Sequence, residues 1–286
     1  MTAIPEKVDH ITAAIDAALE SKPNKPRPHL GVSLVGGPCE RAIWYNFRWA
    51  AQEKFEGRML RLFDRGAREE ETVVKLLQSI GAVVEFTGRN QKRVDFGSHV
   101  SGSLDGIIVS GLPGAPKAKH VLEIKTHNKK SFEKLEKEGV KVSKPAHYTQ
   151  MQLYMLGTEI DRALYFAVCK DDDRIYTERV KFDKAFADEE LYRAKKIALM
   201  QHPPMKISEN ASWFECKFCP SADICHYLKG SKNKSCRTCV YSQPLEDSTW
   251  ICKHYNKQAI PLEFQYKGCS HHEMKSELID ADDIPF

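Results

Sequence analysis

The chain has 286 residues, 42% of them hydrophobic and 29% charged, which is room for one large domain or two ordinary ones and makes a globular chain, not a disordered one, the expectation. Its longest apolar stretch, Ala163 to Cys169, is only seven residues, and acids interrupt the opening MTAIPEKVDHITAAIDAALE, so neither a membrane span nor a signal peptide is expected and a cytoplasmic location is. The net charge of +4 is uneven: residues 277–286 carry four acids and no base, leaving 43 bases against 35 acids elsewhere, a basic body suited to a polyanion such as nucleic acid, followed by an acidic tail.

Val8, Ile11, Ile15 and Leu19 recur at helical spacing and predict a short first helix. The connector SKPNKPRPH follows, its three prolines forbidding helix and strand alike. Helices are predicted from about Glu40 into Trp49 and from Phe63 to Ile80, the second ended by Gly81. From Ala82 the period becomes alternating: AVVEF, KRVDF and HVSGSLDGIIV, punctuated by Gly88, Gly97 and Gly102, read as a β-meander. The strand VLEIK, two helices (SFEKLEKEG and HYTQMQLYMLG), a hairpin of ALYFAVC and RIYTERVKF, and a charged helix from Lys184 to Met200 complete the regular part. What remains is cysteine-rich, and no internal repeat is present. The expected fold class is α/β (α+β), a central mixed β-sheet flanked by helices.

Strand alternation in Val121-Leu122-Glu123-Ile124-Lys125 puts Glu123 and Lys125 on one face. Upstream, Ser103-Leu104-Asp105-Gly106 sets a carboxylate at the mouth of another strand. Two carboxylates with one lysine suit phosphodiester hydrolysis: a hard divalent ion takes oxygen ligands, and an ammonium orients water and offsets developing charge. Mg²⁺ fits best, with Mn²⁺ as substitute.

Asp, then Glu-x-Lys on a following strand, with an acidic helix before and a glutamine-tyrosine helix after, resembles the phage-lambda-exonuclease and RecB-like branch of the PD-(D/E)xK nucleases over about residues 33–225. The resemblance implies a restriction-endonuclease-like core in which Asp105 and Glu123 hold metal and Lys125 is the active-site lysine. Glu70, four residues after Gly66, matches a further helical metal ligand, with Glu69 the alternative; Gln150 and Tyr154 fit the Q-x-x-x-Y helix beside the site. Leu104 stands where the name-giving pattern has proline.

Nine cysteines cannot all pair with one another, and seven crowd between Cys216 and Cys269, a pattern of metal ligation in a reducing compartment. Cys216, Cys219 and Cys225 form C-x2-C-x5-C, three thiolates that need a fourth. One early cysteine, Cys39, joined to such a late set is similar to the iron–sulfur nucleases of this superfamily, which implies a 4Fe-4S cluster closing the core, with zinc as the alternative. Cys236 and Cys239, then Cys252 and Cys269, resemble a zinc ribbon, with His272, His271 or His254 as substitutes for the last ligand. Cys169 is left over as a core thiol. The end Asp282-Asp283-Ile284-Pro285-Phe286 resembles the acidic tip of bacterial single-stranded-DNA-binding proteins, which implies a protein partner such as an annealing recombinase or a host factor that reads that tip.

The expected organisation is a helix and basic connector over 1–30, a nuclease core over 31–228, a ribbon-like metal-binding appendage over 229–274 and a disordered acidic tail over 275–286. The expected function is a Mg-dependent deoxyribonuclease, an exonuclease of phage origin resecting linear duplex ends. The alternatives are a CRISPR-adaptation-like nuclease or endonuclease of the same fold and a non-catalytic DNA-binding adaptor.

Overall fold

The computed structural model describes residues 9–22, 25–51 and 54–280. In chain order the elements are α1 (Asp9–Glu20), β1 (Leu30–Gly31), α2 (Val32–Val35), α3 (Glu40–Phe47), α4 (Gly57–Ser79), β2 (Val83–Glu85), β3 (Arg93–Asp95), β4 (Val100–Ser103), β5 (Gly106–Ser110), β6 (His120–His127), α5 (Lys129–Ser143), α6 (Pro145–Thr158), β7 (Arg162–Cys169), β8 (Ile175–Lys181), α7 (Lys184–Leu199), α8 (Phe214–Lys217), α9 (Ala222–Tyr227), β9 (Ser242–Pro244), β10 (Trp250–Cys252) and α10 (Leu262–Lys267). Among the described residues no helix is long and apolar enough to cross a membrane.

The fold is mixed α/β. A five-stranded sheet runs β2-β5-β6-β7-β8, with β6 and β7 parallel and every other neighbour antiparallel. The parallel pair needs a crossover, which α5 and α6 supply. Alternation along β6 sends Leu122 and Ile124 to one face, where they pack with Val73, Leu77 and Phe166 under α4. Val121 belongs to the larger cluster on the opposite face, with Phe132, Leu153 and Tyr154 from α5 and α6. Glu123 shares this second face and is fully buried there.

The expected meander does not form. β2 pairs with β5, while β3 and β4 pair in a separate three-stranded sheet completed by β1. The chain breaks at Leu104-Asp105, where the strand read as one unit divides into β4 and β5 and moves from one sheet to the other. Gly102 is not a turn but part of β4; a Cβ there would stand 2.8 Å from the Tyr154 hydroxyl. Gly111, at φ +80°, makes room of the same kind for the carbonyl of Gly81, which a Cβ would approach to 2.0 Å. The helix foreseen from Phe63 begins earlier, at Gly57, where α1 packs so closely that Glu20 Oε1 accepts the Gly57 N–H at 2.7 Å.

The cysteine-rich segment packs against the rest of the chain. Trp250, Ile260 and Leu278 are buried in the same cluster as the sheet's α5–α6 face, so 229–274 shares the core of the rest. The stretch leading into it is held against the end of α3: Ser231 Oγ donates to the Ala50 carbonyl at 2.6 Å and Asn233 Nδ2 to that of Trp49 at 2.8 Å. Packing also continues past 275 through Leu278, which is fully buried. The tip Asp282–Phe286 lies outside the described residues.

Candidate active site

The break at Leu104-Asp105 aims Asp105 at β6. Its Oδ2 accepts the backbone N–H of Ile124 at 2.8 Å, which brings it next to Glu123 without using the Glu123 side chain. Lys125 Nζ forms an ion pair with Glu123 Oε1, yet neither buried Glu123 oxygen takes a hydrogen bond of normal geometry. Glu70 on α4 joins from above; Gln91 Nε2 donates to its Oε2 at 3.4 Å. Gln150 is buried, as is Tyr154, whose hydroxyl donates to the Ser103 carbonyl at 2.7 Å. Tyr154 therefore holds the β4 end from which Asp105 departs.

The electrostatics follow from this crowding. Burial pushes Glu123 up to about 8, with Lys125 opposing and Asp105 adding to the rise. Burial, then Asp105, raises Glu70 to about 7. Asp105 is raised by burial against the pull of Lys125 and the Ile124 N–H. For Lys125, burial disfavours the ammonium, but Glu123, Asp105 and Glu70 together outweigh it and raise its pKa. Mutual influence of this kind needs the four groups to be neighbours. Two of the four, Glu70 and Asp105, line a cleft of about 360 Å³ together with Gln150 and Tyr154, while Glu123 is fully buried behind them.

Spacing alone did not reveal several other groups around these residues. Arg27 and His29, from the proline-rich connector, line the same cleft with Ser33, Gln91 and Arg93. His29 Nδ1 is buried with no hydrogen-bond partner among the described residues, and burial, then Arg93 and Arg27, lowers the imidazole to about 4, so it is neutral at pH 7. Beside Glu123 in the parallel register lies Tyr165, its hydroxyl hydrogen-bonded to His127 Nε2 at 2.9 Å and His147 Nδ1 at 2.8 Å. Burial lowers His127 to about 4 and His147 to about 3, with Lys125 contributing to both. His127 follows Lys125 by two residues on one strand face, a signal present in the sequence; nothing local foretells that His147 reaches the same hydroxyl.

All nine cysteines are free. Burial and the neighbouring thiols of Cys39, Cys225 and Cys219 raise the pKa of Cys216, so Cys39 at the start of α3 stands with the late C-x2-C-x5-C set. Burial, then Cys239, Cys269 and Cys252, pushes Cys236 up to about 11. These four thiols line a small cavity together with His254, His271 and His272. Cys169 is buried in β7, away from both sets as a core residue. Among the described residues, however, no three Cys, His, Asp or Glu side chains stand in metal-binding geometry.

No protein-family model matches the sequence and no curated protein matches it. Solved structures do. SSO0001 is similar at 17% identity over 75% of this chain and 96% of its own, with a TM-score of 0.44. The alkaline exonuclease LHK-Exo from Laribacter hongkongensis is similar at 18% identity over 65% of this chain and 90% of its own, with a TM-score of 0.42. LHK-Exo in complex with dAMP gives 16% identity, the same coverage and a TM-score of 0.42.

Proposed function

We propose that the chain is a divalent-metal-dependent deoxyribonuclease that degrades linear duplex DNA from its ends. The observation that carries this reading is Glu123: a carboxylate fully out of water, both oxygens lacking a hydrogen bond of normal geometry, beside two further carboxylates and one ammonium. Such a set is costly by itself, and its donor chemistry, oxygen ligands only, is the kind a hard cation takes. Asp105, Glu123 and Glu70 would hold Mg²⁺ or Mn²⁺, which when bound would neutralise charge on the scissile phosphate and acidify water.

The chain's own groups do the rest. Lys125, its pKa raised, is an ammonium at neutral pH; it donates to the attacking water or the leaving oxygen and cannot serve as a base. Tyr154 fixes the Ser103 carbonyl and with it Asp105. Arg27 and Arg93 give the cleft wall positive charge for a phosphate backbone without reading base sequence. In the test, wild-type protein with Mg²⁺ should degrade linear duplex, spare closed circles and stop on chelation. Asp105→Ala should lower the rate by roughly a hundredfold or more. Full activity in that variant would reject the site; attack on circles would indicate an endonuclease.

Two further assignments belong to the same reading. Cys39, Cys216, Cys219 and Cys225 fit a 4Fe-4S cluster or zinc by donor chemistry, and Cys236, Cys239, Cys252 and Cys269 fit zinc; iron and zinc analysis of the purified protein decides between them. Asp282, Asp283, Ile284, Pro285 and Phe286 are proposed to dock on an annealing recombinase or host factor that reads single-stranded-DNA-binding-protein tips. Deleting the last three residues should abolish capture of that partner and leave DNA degradation unchanged; capture that persists would refute the tail assignment.

A further inference from the structure

In the connector Lys25–His29, Pro26 and Pro28 carry no N–H, so no regular helix or ladder runs through it, and its carbonyls serve as anchor points for neighbouring side chains. Three successive carbonyls are taken. Tyr266 Oη donates to Pro26 O at 2.9 Å, Trp49 Nε1 to Arg27 O at 2.8 Å, and an Arg237 guanidinium nitrogen to Pro28 O at 2.6 Å.

The three donors are themselves locked together. Trp49 stacks flat on Tyr266, rings 4.5 Å apart and 2° from parallel, and the Arg237 guanidinium lies 3.9 Å from a Trp49 ring centroid. Arg237 is 1% exposed, donates also to Phe47 O at 3.0 Å and is gripped by Gln265 Oε1. Two of the three donors thus come from the cysteine-rich segment, and Arg237 sits between Cys236 and Cys239. The stretch they hold delivers Arg27 and His29 to the cleft that contains Glu70 and Asp105.

We propose that the cysteine-rich segment is a working part of the active-site cleft: Arg237 and Tyr266 are positioning residues that set where Arg27 and His29 meet the substrate's phosphate backbone. This rests on the nuclease reading for the substrate, but not for the anchoring itself. These anchors fall on a stretch that lines the cleft, which ties the cysteine-rich segment to the cleft wall as well as to the core.

The test compares wild type, Tyr266→Phe, Arg237→Lys, Arg27→Ala and the Arg27→Ala/Tyr266→Phe double variant. Tyr266→Phe keeps the stack on Trp49 and loses only the hydroxyl, so it folds even if Arg237→Lys does not. Two readouts are taken: limited proteinase K digestion mapped by mass spectrometry, and KM and kcat on linear duplex with Mg²⁺. In Tyr266→Phe, cutting within residues 22–31 should rise about fivefold, as expected for loss of one neutral hydrogen bond, while other sites stay as in wild type. KM should rise by a similar factor with kcat within about twofold, and in the Arg27→Ala background the Tyr266 change should raise KM by clearly less than it does alone. Unchanged cutting within 22–31, faster cutting everywhere, or additive effects on KM would overturn the proposal. Should the wild type leave DNA intact, the nuclease reading fails while the proteolysis still decides the anchoring.

Discussion

A carboxylate held out of water lowers its cost by taking a proton or a cation. Glu123 has Lys125 at one oxygen, and its pKa is nonetheless pushed up to about 8, with Glu70 at about 7. Both lie above the ordinary carboxylate value near 4.5, so between that pH and 8 the folded metal-free protein binds more protons than the unfolded chain. The stability these groups contribute is present at low pH and is lost as pH rises through 7 to 8. Metal-free protein should therefore show a Tm lower at pH 8 than at pH 5.5 by roughly 5 °C, and Mg²⁺ should restore more of it at pH 8. Glu123→Gln, which removes the charge and keeps the shape, should flatten that dependence in thermal scans; an unchanged slope would mean that the buried charge lies elsewhere.

At the scale of elements, the strand break between β4 and β5 does the positioning. Tyr154 on α6 holds the Ser103 carbonyl, and Gly102 gives its ring room. Tyr154→Phe should lower kcat about tenfold, as losses of supporting hydrogen bonds do, with KM for DNA little changed; a variant with wild-type kcat would remove Tyr154 from the positioning of Asp105. Much of this was legible in the sequence. Glu123 and Lys125 share a face because a strand alternates, and the Gln150/Tyr154 spacing is a helical turn. The pairing of β2 with β5 was not legible, because it is a long-range choice that local periodicity does not record. Nor was the connector's destination: prolines say that 26–28 cannot make their own structure, but only tertiary contact reveals which donors take the carbonyls.

On the scale of the whole molecule, the parts meet at one cleft. Helix α4 supplies Glu70 and the β4–β5 break supplies Asp105, with Glu123 and Lys125 of β6 beside them; the N-terminal connector supplies Arg27 and His29, and the cysteine-rich segment supplies anchors that hold the connector. Across position 229, where composition changes, Arg48 and Arg237, both buried, lie over the Trp250 ring at 4.9 and 4.7 Å. Cation–aromatic burial of that kind leaves no periodic trace in sequence. The central claim is that Glu123 serves metal-dependent phosphodiester hydrolysis, and it is tested most directly by single-turnover degradation of end-labelled linear duplex, with duplex binding measured on the same samples. Glu123→Gln should bind duplex within about twofold of wild type and cleave it at least roughly a hundredfold more slowly; cleavage near the wild-type rate would contradict the account.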